Sequence, residues 1–240
     1  MPITSVCAEY SANTERWRKN RAATDGQDAV KLAGTMFLPD DSEADASPAA
    51  RLRYARYQMR AVWMPVSSYT VAGLSGMVFR LPADVELPSQ LEYLETNADG
   101  AGLSLEQLAK LCLDEVLIVG RSILLSEYPQ SESGLSAEEV ARRNLQARIT
   151  TYAAEAADNW KFELVGGVMK LTMIKLCEQT EIEKDEFTVE IKKQYRVLRL
   201  RDGVYTQAIY DDKGEVVVEE FAPVDFTGST FDHIPLQIIG

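Results

Sequence analysis

What most constrains this chain is a change of hydrophobic period late in the sequence. Phe187, Val189, Ile191, Tyr195 and Val197 alternate with Thr188, Glu190, Lys192, Gln194 and Arg196. Alternation at every second residue demands a strand with one buried face. Turn signals follow at Arg201 to Gly203 and Asp211 to Gly214, linking Val204–Tyr210 and Glu215–Phe221 into a meander. Gly166 and Gly167 make a similar turn before Val168 to Leu176. Earlier residues show the helical period instead, so the fold class expected is α+β: a mainly helical first half followed by an antiparallel β meander.

The helical half is punctuated clearly. Glu15 to Pro39 reads as helical, with Gly34 and Pro39 as stop signals. The acidic stretch Asp40 to Ser47 then reads as a solvated linker. Ser47 and Pro48 supply an N-cap and a first-turn proline for a helix to about Trp63. On it Leu52, Ala55, Met59 and Val62 fall on one side, with Arg53, Arg56 and Arg60 as a neighbouring stripe. A second helix spans Ser67 to Arg80, in which Gly73 and Gly76 would allow close backbone approach. After a short helix near Gln90–Thr96, Ser104 and Gln107 form a capping box for a helix through Val119, which Gly120 ends. Ser122–Tyr128 reads as a strand, and Ser136 with Glu139 starts a short helix to about Ala147. Three regions result: a helical segment and acidic linker (1–46), a helical region with a short strand near 122–128 (47–147), and a β-rich region (148–240).

Charge narrows the function. The net charge is −12, and residues 1–60 balance at +1, so the remainder carries −13. A nucleic-acid binder that neutralises phosphates normally presents a basic face. The acidic total argues against that, though not against a surface past which DNA slides. The opening residues lack the apolar core of a signal peptide, and no run approaches a membrane span, so a soluble intracellular protein is expected. Cys7, Cys112 and Cys177 are far apart without metal-ligand spacing and read as reduced thiols.

Candidate chemistry is sparse. The sole histidine, His233, stands beside Asp232, but no nucleophile elbow accompanies the pair, and a structural or exposed histidine is the simpler reading. Asp211, Asp212 and Glu215 resemble a metal cluster superficially and fit a hairpin tip better. Arg53, Arg56 and Arg60 could meet phosphates or a neighbour's carboxylates; a solvated face is the default. Trp160 could be a stacking platform or core. No catalytic, cofactor-binding or metal-binding residue is assigned, and an enzyme is not expected.

Four stretches form an ordered set. They are AVKLAGTMFLP (Ala29–Pro39), LSGMVFR (Leu74–Arg80), DGAGLSLEQLAKLCLDEVLIVGRSILL (Asp99–Leu125) and TYAAEAADNW (Thr151–Trp160), and together they cover most of residues 29–160. In this order and spacing they resemble a subgroup of tailed-phage portal proteins. There a helix ends in a similar "VKxAGxxxLP" run, and the likeness continues through Leu74–Arg80. It is strongest at Asp99–Leu125, similar to "DGxGxSLxxxAxxxxxExLxxGRxxIL", and recurs at Thr151–Trp160, similar to "YxAExIxNW".

The resemblance implies a wing-like region of a head-to-tail connector, in the virion at a capsid vertex and in the host cytoplasm during assembly. Its implied partners are further copies of itself in a dodecameric ring, the major capsid and scaffolding proteins, terminase, and head-completion, adaptor and tail proteins. Double-stranded DNA would pass through the ring without tight binding, and no cofactor or membrane is implied. Another virion structural or adaptor protein is the alternative. Portals are longer than this chain, so stem segments are expected beyond Gly240, and no DNA-facing or terminase-docking residue is carried over. On the same grounds Ile234, Leu236, Ile238 and Ile239 would be exposed unless later elements or a neighbour covered them.

Overall fold

Ser104 and Gln107 cap each other as the pattern requires. Ser104 Oγ accepts from the Gln107 amide at 3.2 Å, and Gln107 Oε1 accepts from the Ser104 amide at 3.0 Å. In the computed structural model, which describes residues 2–40, 47–128, 137–143, 145–225 and 228–240, this box opens helix α5 (Leu105–Val119). Gly120 ends the helix at φ +80°, a left-handed conformation that a side chain would strain, and releases the chain into strand β1 (Ser122–Glu127).

The other helices follow the sequence with adjustments. Helix α1 begins at Ala8, earlier than the expected Glu15, because the Cys7 sulfur accepts the Tyr10 amide and serves as N-cap. It ends at Asp25: Gly26, at φ +101°, breaks the expected single helix and starts α2 (Gln27–Leu32). Helices α3 (Pro48–Arg60) and α4 (Val66–Val78) flank the break at Pro65. A 3-10 segment covers Ser89–Glu95, and α6 spans Ala137–Arg142. Most of the acidic linker (41–46) and Ser136 lie outside the described residues.

The second half is antiparallel sheet, and the fold is α+β. Strands β3 (Ala157–Val165), β4 (Val168–Asp185), β5 (Thr188–Arg201), β6 (Val204–Asp211) and β7 (Val216–Phe221) form a five-stranded meander in that order. Arg201 pairs with Val204 across a two-residue turn, with Asp202 at φ +52° and Gly203 at φ +76°. Both central residues thus take the left-handed conformation that tight hairpins favour. A smaller sheet sets β1 between β2 (Arg148–Ala153) and β8 (Leu236–Ile239). The expected boundary at 147/148 therefore runs between two strands of one sheet.

Burial explains the apolar run Ile123–Leu125 in β1. Ile123 and Leu125 are fully buried against Ile174 and Leu176 of β4, Leu198 of β5 and Tyr205 of β6. Leu124 points the other way, packing with Ile149 against the cluster of Leu94, Ala98, Leu108 and Cys112. Helix α5, the small sheet and the large sheet are thus stacked layers.

Two expectations are corrected here. The apolar end is covered within this chain: Ile234 is buried in the inter-sheet core, and Leu236–Ile239 pair with β1 in the register Leu125↔Leu236 to Ser122↔Ile239. The alternation of β5 does not mark one continuous buried face. Tyr195 and Val197 are buried, but Phe187, Val189 and Ile191 are 90%, 52% and 62% exposed, because the β4–β5 hairpin projects past the core as an arm.

Truncating Leu125→Ala removes a fully buried side chain from the inter-sheet core. The expected loss is about 2–5 kcal/mol, read as a lower urea midpoint with an unchanged m-value.

Candidate functional site

Two of the stretches singled out in the sequence, Asp99–Leu125 and Thr151–Trp160, meet in space against α1. Arg21 of α1 donates from Nε and a terminal nitrogen to both oxygens of Glu155 at 2.6 Å, and to both oxygens of Glu115 on α5 at 3.0 and 2.7 Å. One guanidinium therefore joins the first helix to two otherwise separate stretches. Its bonds to Glu155 first, then to Glu115, hold its proton more tightly than usual. Burial works against the Glu155 charge, but Arg21 outweighs it and holds that carboxyl below its ordinary range.

Beside this clamp, Arg121 lies between two indoles, 4.8 Å from the Trp160 ring and 5.9 Å from that of Trp17, and it pairs with Glu9 at 2.7 Å. Trp160 is thus a platform for an internal arginine and is half-buried. Asp99 Oδ1 accepts the amides of Leu103 and Ala101 at 3.0 and 2.8 Å, which lower its pKa and close the turn before α5. These residues interlock the fold.

A second ionic group lies between the sheets. Arg196 donates to Glu178 and to Glu127, each at 2.7 Å, and Arg148 pairs with Glu127 at 3.0 Å. Tyr152 donates to Glu178 at 2.7 Å, and burial together with that carboxylate pushes the phenol well above its ordinary range. These residues line an open groove of about 700 Å³. Glu127 and Glu178 each accept from a guanidinium there, while Asp99 at its edge accepts backbone amides, so the ionic group stiffens the contact between the sheets. On the opposite face of the large sheet, Lys175 pairs with Asp158 at 3.0 Å and donates to the carbonyls of Ile3 and Ser5.

The weighed candidates fall apart from one another. His233 Nδ1 lies 2.8 Å from Asp232 Oδ1, and both side chains are strongly exposed; the bond to His233 lowers the Asp232 pKa. Asp211 Oδ1 accepts the amides of Lys213 and Glu215 at 2.9 and 2.7 Å, as a hairpin tip does. Among the described residues no group of three or more His, Cys, Asp or Glu side chains could hold a metal ion. The three cysteines are free thiols, and burial pushes Cys112 and Cys177 up in pKa.

What stands out on the surface is the α3–α4 pair. Leu52 and Met59 are 53% and 77% exposed, so the apolar stripe of α3 faces outward beside its arginines, and Val62, just past the helix end, is 82% exposed. The buried side of α3 is instead Ala50 with Tyr54, whose hydroxyl donates to the Leu38 carbonyl at 2.9 Å. Between the two helices Trp63 donates to the Ala23 carbonyl and meets Phe37 edge-on, and α4 itself packs against α1 and α5. On α4, Tyr69, Met77 and Val78 are also exposed. The expected close approach at Gly73 and Gly76 is not found: a Cβ at either would meet open space, and the buried small residue is Ser75. Contiguous apolar exposure rimmed by charge marks a surface for macromolecular contact.

No family model matches the chain, and no curated protein gives a significant match. No helix among the described residues is long and apolar enough to cross a membrane.

Replacing Arg21→Ala leaves two partly buried carboxylates unpaired. A loss of roughly 1–3 kcal/mol at neutral pH is expected, below that of a fully buried pair. Because the Glu155 pKa is depressed in the folded state, the clamp's contribution is present above the ordinary carboxylate pKa and disappears as pH falls through the folded value. The gap between wild type and Arg21→Ala in urea unfolding should therefore narrow from pH 7 toward pH 3.

Proposed function

We propose that this chain is a phage portal subunit: a ring-forming structural protein at the capsid vertex, through which double-stranded DNA is packaged and ejected, and onto which terminase and tail or adaptor proteins dock. It carries no catalytic activity of its own in this reading. The observation that carries it is the ordered set of motifs across residues 29–160, whose residues at Glu115, Gly120, Arg121, Glu155 and Trp160 form one interlocked unit with α1. Residues that act together physically and recur together in a pattern read as one inherited module.

Two further features support the reading. A conduit should not grip phosphates, since each released counterion would make a basic contact a source of friction, and the chain is strongly acidic. Ring closure needs one face of a subunit to complement a different face of the next, and the exposed α3–α4 surface supplies a candidate for one of them. That surface equally suits an adaptor or other virion interaction protein, which is the second reading.

Particle images and light scattering of the purified protein separate them. A large closed ring with rotational symmetry is expected; a small oligomer favours the adaptor, and a monomer across a wide concentration range overturns the portal reading. Duplex DNA should bind weakly, with a shallow salt dependence. A steep fall in affinity between low and physiological salt, measured by fluorescence anisotropy, would contradict the conduit.

A further inference from the structure

Two exposed patches on this chain are complementary in charge and in apolarity, and their charged pairs share a repeat distance. The first is helix α3, which carries four arginines and no acidic residue, a net +4. Arg56 and Arg60 stand one turn apart, beside the exposed stripe of Leu52 and Met59. The second is the projecting β4–β5 arm. Between residues 181 and 192 it holds five carboxylates against two lysines, a net −3. Both lysines lie against Glu190, at 3.4 and 3.8 Å. Glu181 and Glu183 make no ion pair among the described residues.

The register places those two carboxylates usefully. Glu181 pairs with Ile191 and Glu183 with Val189, so all four side chains share one face of the arm. That face therefore presents two acids beside two apolar residues, as α3 presents two arginines beside two apolar residues. The spacing also agrees. Residues four apart on a helix are separated by about 6 Å along its axis, and residues two apart on a strand by about 6.6 Å. Both patches are exposed within a single chain, so neither is covered by the other.

We infer that the arm of one copy docks on helix α3 of a second copy, Glu181 and Glu183 meeting Arg56 and Arg60 while Val189 and Ile191 cover Leu52 and Met59. The contact joins unlike surfaces, so each subunit offers one arm and one receiving helix, and repetition leads to a ring or an open chain. It rests on the proposed ring and names the surfaces that close it.

Charge reversal tests it on the full chain. Arg56→Glu with Arg60→Glu, or Glu181→Arg with Glu183→Arg, should each raise the concentration needed for assembly by roughly 100-fold or more. All four residues are exposed or solvent-facing, and unchanged thermal unfolding of each variant verifies that the subunit still folds. Mixing the two variants should restore assembly with the two alternating, as should combining all four substitutions in one chain. Rings that form equally well from either variant overturn this contact and leave the ring standing. Failure of mixing to restore assembly also overturns it. A wild-type protein that stays monomeric overturns the ring and this contact together.

Discussion

Strand β1 is buried on both faces, and the rest of the molecule is arranged around that constraint. Ile123 and Leu125 need the large sheet on one side, and Leu124 needs α5 on the other. A strand so enclosed must also satisfy both edges, since an unpaired backbone group away from water is costly. Strands β2 and β8 do this, the second drawn from the far end of the sequence. The helical half and the β half are thereby parts of one core. Gly120 makes the geometry feasible by turning the chain directly from α5 into β1, so that helix and strand stack rather than diverge.

Charge does the corresponding work at the borders of this core. Arg21, Arg196 and Lys175 each sit where elements distant in sequence meet, and each is matched with carboxylates or carbonyls. Pairs of this kind add modest stability but penalise wrong arrangements, because any misdocking leaves a charge without its partner. The outer surfaces follow another rule. On α3 and on the β4–β5 arm, apolar side chains stay exposed beside a net charge of opposite sign on each.

How much of this was legible in the sequence depended on whether the signal was local. The turn at Asp99, the capping box, α5 and its glycine stop were readable because each rests on residues within a few positions. So were the meander and its turns. The start of α1 was not, because a cysteine sulfur is an uncommon cap. The reach of the β4–β5 arm was hidden too: alternation reports which residues share a face and says nothing of where the covering layer stops. Nor could spacing reveal that Glu115 and Glu155 share one arginine, or that Arg121 lies between Trp17 and Trp160. Those pairings are set by tertiary distance, and the motif pattern marked the residues without their partners.

Lys175 holds the first residues of the chain by the carbonyls of Ile3 and Ser5 rather than by any side chain. Every residue type offers the same carbonyl, so this strap is recognised by its path and not by its spelling. Its sequence is free to drift under whatever other demands fall on an exposed terminus, provided the backbone still crosses the sheet at the same place. The lysine itself has no such freedom, since its charge is matched by Asp158 beneath the strap. Variation should therefore concentrate in the strand of chain that is held, and constancy in the two residues that hold it.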